Sequence, residues 1–463
     1  MSGKKPFFSR NSSMDLTEGP IFSKVLVFAL PLLAGQLFQT LYNSVDSIVI
    51  GNFETPEALA AVTASGVISM IIAGFFTGMS AGASGTLSRL FGAKEYGLFH
   101  DAIHTTVLAS FVFGIVLAAC GVILSPALLD ITGCPDDIRS MAIDYLRIYL
   151  IGVFFTCIYN ICSAVLRSIG DSTSPFIFLV ISSVLNIVLD LLFVGAFKMG
   201  VVGVALATII SQFVSMVLSF IKMMQMDEQY RFRFRDLMID WKLLGEVAKL
   251  GLPAGLQSSL QSIGALVVQS YTNSFSFHAI AGIGSGMRID QFAGMACNSL
   301  GLAMTTFIGQ NIGAKKYGRT HMSVGASVII ASVYIIIVSI PAYFFAEPLV
   351  GIFSPDPEVI MYGSGFLRTI MPLYLFMGLN QLFNGILRGY GYSLTSMICS
   401  LTSFIGIRQL WLYVTLNYVA HDVRYLYWCY PLTWFTSLLS LVLVYLIRIR
   451  KKYPPEKPDT TAA

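Results

Sequence analysis

Charge is scarce in this chain. Only 12% of its 463 residues are Asp, Glu, Lys or Arg, whereas 55% are hydrophobic. A soluble domain carries about a quarter of its residues as charges, and a mean hydropathy of +0.73 is more apolar surface than a water-surrounded core encloses. The chain belongs in a bilayer. Histidine is scarce too, with five scattered residues, and the seven cysteines (Cys120, Cys134, Cys157, Cys162, Cys297, Cys399, Cys429) show no C-x-x-C spacing. That argues against a structural metal or redox centre and reads the thiols as small buried side chains. No H-E-x-x-H or Walker-type G-x-x-x-x-G-K occurs, so neither an enzyme nor an ATP-driven pump is expected, and no cofactor. Gly282-Ile-Gly-Ser-Gly286 opens an apolar run and reads as helix packing rather than as a phosphate loop. The net charge of +4 comes from basic residues at the ends of apolar runs, which orient a membrane protein and imply no nucleic-acid partner.

Long apolar runs are plentiful. A hydrocarbon core about 30 Å thick needs about 20 helical residues, and twelve runs qualify: 22–51, 58–87, 102–127, 139–165, 174–196, 200–223, 243–273, 278–308, 320–346, 358–387, 393–417 and 424–448. The first is too long for a signal-peptide core and is expected to stay as a span. The second and eighth are rich in Gly, Ser and Thr, which predicts close helix contacts or a cavity wall rather than lipid exposure. Lys4, Lys5, Arg10, Lys24, Arg89, Lys94, Arg167, Lys222, Lys315, Lys316, Arg319, Arg388 and the basic tail fall on one side, against Arg139, Lys198 and Arg424 on the other. Both termini are therefore expected in the cytoplasm of a cell-membrane protein. The stretch Gln225 to Trp241, with its RFRFR, reads as an amphipathic surface linker between two sets of six spans. The expected division is a cytoplasmic segment 1–21, a six-helix bundle 22–223, a linker 224–242, a second bundle 243–448 and a cytoplasmic tail 449–463.

The two sets repeat one another. Phe91-Gly-Ala-Lys-Glu-Tyr-Gly97 matches Ile312-Gly-Ala-Lys-Lys-Tyr-Gly318, Tyr145-Leu-Arg147 matches Phe366-Leu-Arg368, and Leu166-Arg-Ser-Ile-Gly170 matches Leu387-Arg-Gly-Tyr-Gly391, all offset by 221. Leu30-Pro31 recurs at Leu252-Pro253, one residue further on. Recurrence in this order marks a tandem duplication. Six spans per copy is an even number, so the copies run parallel, related by an axis along the membrane normal. The expected fold is all-α, with twelve transmembrane helices as two parallel six-helix repeats around a central cleft, the geometry of alternating access.

Ionisable groups at membrane depth cost about 3 kcal/mol each on insertion scales and are functional candidates. In the first span Gln39, Asn43 and Asp46 share one helical face, and Pro31 interrupts the backbone ladder and permits a bend. Asn186 and Asp190 are i, i+4 neighbours in the fifth span, and Thr208 lies in the sixth. Topology places Asp46, Asp190 and Thr208 in the outer half, where two carboxylates at one depth call for a proton or a hard cation such as a transient Na⁺. The alternative is that Asp190 bonds a neighbouring span and Asp46 faces a wet vestibule. At the 221 offset Asp46, Asp190 and Asn186 become Val267, Trp411 and Ile407, so the acids are confined to the first half. Asp144 and Arg147 read as a local pair. Asp290 is open between a cationic substrate and an inter-span salt bridge, and Gln257, Gln261 and Gln381 are expected to line the cleft with Gln39 and Asn43.

ALPLLAGQLFQTLYNSVDSIVIG in the first span, SRLFGAKEYG and IGQNIGAKKYG after the second and eighth, and LRSIGD and LRGYG after the fourth and tenth resemble the multidrug and toxic compound extrusion (MATE) transporters over about residues 20 to 445. The resemblance implies a secondary active multidrug efflux antiporter, exchanging small cationic or amphipathic compounds for H⁺ or Na⁺ and acting as a monomer in the lipid bilayer. Similarity to the DinF-like branch implies a cation site at Asp46 with Pro31, Asn186, Asp190, Thr208 and Asn160. The NorM-like pattern fits poorly, because Glu246 and Glu358 lie at span ends. Rival functions are a lipid-linked saccharide flippase of the same superfamily and, more remotely, a membrane-embedded transferase.

Overall fold

The computed structural model describes residues 13–454, excluding the side chains of Asn43 and Ser47. Lys4, Lys5, Arg10 and the end of the basic tail lie outside the described residues. Long helices account for almost all of the rest: α1 Ile21–Phe53, α2 Pro56–Gly92, α3 Tyr96–Ile131, α4 Asp136–Ser168, α5 Thr173–Ala196, α6 Gly200–Met224, α7 Trp241–Thr272, α8 Phe277–Gly313, α9 Tyr317–Phe344, α10 Pro357–Gly389, α11 Ser393–Val419 and α12 Val423–Lys452. Eleven are long and apolar enough to cross a membrane. The exception, α7, spans 32 residues but carries Lys242, Glu246 and Lys249 near its start and Gln257, Gln261 and Gln269 beyond. The twelve-helix, all-α architecture is thus present.

The recurring sequence motifs are helix C-caps. Gly170 and Gly391 both adopt left-handed backbone, φ 86° and 84°. Asp171 N–H donates to Leu166 O (3.0 Å) and Tyr392 N–H to Leu387 O (2.9 Å), the Schellman pattern that ends a helix. In the Gly-Ala-Lys motifs the left-handed residue is Lys94 or Lys315, each at φ 58°. Duplication has preserved the geometry of four helix ends, and that is why these short strings stand out in a sequence otherwise free to vary among apolar residues.

Helix contacts follow the small residues. A Cβ on Gly82 of α2 would meet Leu250 O of α7 at 2.3 Å, and one on Gly385 of α10 would meet Gly301 O of α8 at 1.9 Å. These backbones touch, as the Gly/Ser/Thr content of the second and eighth spans predicts. Ser65 of α2 donates to Ala142 O of α4 (3.2 Å). Gly282 and Gly286 face Val359, Gly363 and Phe366 of α10, so the glycine run is a packing surface.

Residues Met1–Asp15 with Leu30–Gly255 form one compact unit, and Leu16–Ala29 with Leu256–Ala463 form the other. The boundaries fall inside α1, one residue before Pro31, and inside α7, two residues past Pro253. Both prolines of the repeat therefore stand where a helix passes from one unit to the other.

The linker is anchored, not merely laid on a surface. Alternation in RFRFR turns Phe232 inward, 1% exposed, where it stacks on His104 of α3 at 5.0 Å. His104 Nε2 accepts from Arg233 N–H (3.0 Å), and Asp240 N–H donates to Thr105 Oγ1 (3.1 Å). His100, His104 and Asp236 have the composition of a metal cluster. Yet the second ring nitrogen of His104 bonds His100 O of its own helix (2.7 Å), so both ring nitrogens are engaged, one of them in holding the linker.

Candidate cation-coupling site

The first unit brings three helices together around two acids. Asn186 and Asp190 lie one turn apart on α5, so their side chains share a face, and both are wholly buried. With the Asn186 amide oriented to satisfy its neighbours, Nδ2 donates to Asp46 Oδ1 of α1 (2.9 Å) and Asp190 Oδ2 (3.0 Å), while Oδ1 accepts from Thr208 N–H of α6 (3.2 Å). The two carboxyls also reach each other. Carboxyl groups approach this closely only with a proton or cation between them. Asp190 Oδ1 is buried without a partner, an acceptor valence that such an ion fills. The donor set is oxygen only, which suits H⁺ or Na⁺ and not a thiophilic metal.

One member of the site was missed in the sequence. The Tyr42 hydroxyl lies 3.3 Å from Thr208 Oγ1 and reaches Asp46. Its position four residues before Asp46, on the same helical face, was the available signal. Immediately after Asp190 the backbone widens into a π-helical segment, Leu191–Ala196. Such segments recur at functional positions, because the extra residue per turn re-aims side chains.

Other candidates fall elsewhere. Asn160 is half-buried, and its amide donates to Thr156 O of its own helix (2.9 Å); the structure does not join it to the carboxyl cluster. Pro31 lies within a helix that continues through it. Gln39 is exposed, and the Asn43 side chain lies outside the described residues. Gln257 is buried and donates to Asn384 Oδ1 (2.9 Å) and Ser400 Oγ (3.0 Å). It belongs to a polar network inside the second unit that sequence spacing does not reveal. Gln261 and Gln381 are half-buried. Asp290 makes no salt bridge among the described residues; the Tyr374 hydroxyl donates to its backbone carbonyl (2.9 Å). The expected Asp144–Arg147 pair is absent: both residues are exposed, and Arg147 Nε donates to Ser125 Oγ of α3 instead (3.2 Å). Arg368 finds a partner the local sequence did not offer, Glu347 at 2.9 Å.

In the second unit the positions at the 221 offset hold no acid. Trp411, which stands where Asp190 stands in the first, gives its indole N–H to Tyr425 O (3.0 Å). Glu358, at the start of α10, faces His278 (3.2 Å), a span-end contact.

Comparison with known proteins agrees with the duplication. The chain is 30% identical over 394 residues to "Probable multidrug resistance protein YpnP" of Bacillus subtilis (strain 168), covering 85% of this chain and 88% of that one. It is 25% identical over 374 residues to "Multidrug export protein MepA" of Staphylococcus aureus (strain MSSA476), covering 81% and 83%. Its fold matches the outward-facing structure of a multidrug resistance MATE family transporter of the MOP superfamily, with a TM-score of 0.86, 21% identity and coverage of 96% and 98%. The MatE family model matches twice, at residues 31–192 and 253–414, each match opening on a repeated proline. On that paired match and these relatives, the chain belongs to the MATE family of multidrug efflux transporters.

Proposed function

We propose that the chain is a secondary active antiporter, exporting small, often cationic or amphipathic, compounds in exchange for H⁺ or Na⁺ by alternating access. The observation that carries this reading is the Asp46–Asn186–Asp190 cluster, where two carboxyls share one amide donor and one buried carboxylate oxygen has no partner. A fixed ion pair would satisfy its own charges and move nothing. Two acids that need an external positive charge respond to the ion supply on the side to which they open. Asp46 and Asp190 hold the proton or Na⁺, Asn186 fixes their spacing, and Tyr42 and Thr208 complete the polar wall. Pro31, fifteen residues from Asp46 and next to the unit boundary, is the pivot through which α1 answers the ion. The acids on α1 and α5 favour the DinF-like branch. The distribution of Lys and Arg favours cytoplasmic termini, and a monomer suffices because one chain supplies the whole cluster.

The experiment is dye efflux from proteoliposomes holding the full chain under an imposed Na⁺ or H⁺ gradient. Gradient-driven efflux that disappears in Asp46→Asn is the expected result. Extrusion that persists unchanged in that variant removes Asp46 from the coupling role.

A further inference from the structure

One strip of the first unit turns apolar and basic side chains outward together. On α6, Ile210, Phe213, Ile221 and Met224 are exposed and fall on one face at helical spacing, the surface that a membrane span gives to lipid. Past the end of α6 the linker continues that surface. The Phe234 ring lies 5.6 Å from Phe220 of α6 and 4.9 Å from Phe232, yet Phe234 is 54% exposed. Met238 is exposed as well, and Trp241, the first residue of α7, is 76% exposed. Arg235 and Lys242 stand next to them in the chain, both exposed and neither in an ion pair among the described residues, whereas Arg231 and Arg233 face Glu228 (3.0 and 3.5 Å). All of these residues belong to the first unit.

The acids of the same stretch are engaged with protein. Asp236 Oδ2 faces His100 of α3 (3.4 Å), and Asp240 Oδ1 accepts from Lys242 N–H (2.8 Å) and Leu243 N–H (3.1 Å), which caps α7. Residues 234–242 therefore offer Phe, Met and Trp with two uncommitted cations, while both carboxylates are taken up within the unit. A linker that met only water would leave a large aromatic surface wet at a cost. Tryptophan is favoured where a bilayer meets water, and each Lys or Arg there raises the local occupancy of anionic headgroups by about fivefold.

We propose that residues 234–242 bind anionic phospholipid of the leaflet that the end of α6 adjoins. Phe234, Met238 and Trp241 lie among the upper acyl chains, and Arg235 and Lys242 hold headgroup phosphates. His104 and Thr105 grip the linker from within the unit and lipid holds it from outside, which seats the first turn of α7 at the membrane surface. This strip takes no part in the cation cluster, and the proposal does not depend on the chain being an antiporter.

The chain has four tryptophans, so the emission of Trp241 is read as the difference between the unmodified full chain and Trp241→Phe, both in lipid nanodiscs. Phospholipid brominated high on its acyl chains quenches an indole that it touches. Brominated phosphatidylglycerol at high dilution in plain phosphatidylcholine should quench Trp241 about fivefold more than brominated phosphatidylcholine at the same dilution. In the double variant Arg235→Gln, Lys242→Gln the two lipids should quench equally. Quenching of Trp241 by aqueous acrylamide and by neither brominated lipid would place the strip in water and overturn the proposal. Equal quenching by the two lipids in the unmodified chain, or a preference that survives the double substitution, overturns it as well. Should the double variant fail to fold, the comparison of the two lipids in the unmodified chain decides alone.

Discussion

Asp46 on α1 and Asp190 on α5, 144 positions apart in sequence, are tied by a single amide: Asn186 donates 2.9 Å to one and 3.0 Å to the other. Removing the amide tests whether that tie sets the spacing of the acids. Asn186→Ala deletes two charge-assisted hydrogen bonds, each contributing about 1.5–3 kcal/mol, together with the contact from Thr208 N–H. The melting temperature of the purified chain should fall, and gradient-driven efflux in proteoliposomes should drop at least tenfold. Efflux at the unmodified rate would show that the acids hold their spacing without Asn186.

The close approach of α8 and α10 gives a prediction with its own control. A methyl group on Gly385 falls 1.9 Å from Gly301 O, whereas one on Gly284 of the same α8 meets nothing within 4 Å. Gly385→Ala must push two backbones apart, at a cost of about 3 kcal/mol, the upper end for overpacking. Gly284→Ala should be neutral or stabilising by up to about 1 kcal/mol, since it gains helix propensity without a clash. Thermal denaturation of the two variants in one detergent measures the contrast. Equal shifts would mean that the helices slide to make room.

The linker prediction rests on one ring. His104→Ala removes the acceptor for Arg233 N–H and the surface on which Phe232 stacks. A buried donor left unpaired costs about 1–3 kcal/mol. Trypsin should therefore cut after Arg231, Arg233 or Arg235 several times faster in the variant than in the unmodified chain. Unchanged cleavage would show that Asp240 and the buried aromatic rings hold the linker without the histidine.

How far the sequence reached depended on whether the information was local. Apolar runs marked all twelve helices in the sequence, α7 included, although its charged start leaves it short of the apolar character that the other eleven reach. Asp46, Asn186, Asp190 and Thr208 were legible because an acid in an apolar run is conspicuous and i, i+4 spacing fixes a shared face. Tyr42 obeyed the same spacing but was hidden by its chemistry, since tyrosine is unremarkable in a membrane helix. Asn160, inferred through the resemblance, bonds its own helix instead. Arg147, Arg368 and Gln257 depend on which helices meet, and pairwise contact between distant segments leaves no periodic trace. The linker shows the limit: RFRFR announces two faces, but only His104, more than a hundred positions earlier, shows that one of them is buried.

The two Gly-Ala-Lys caps supply a last test. Lys94 and Lys315 both hold φ 58°, a left-handed backbone that costs a side-chain-bearing residue about 1–2 kcal/mol and glycine almost nothing. Replacing either by glycine relieves that strain but also frees the unfolded chain, which returns about half the gain. Each of Lys94→Gly and Lys315→Gly should thus stabilise the chain by about 0.5–1 kcal/mol in a denaturation experiment. The double variant should approach the sum, because the residues sit in separate compact units with no shared partner. If either substitution destabilises, that lysine's side chain contributes more to its cap than its backbone conformation costs, and the repeated lysine would owe its place to charge rather than to geometry.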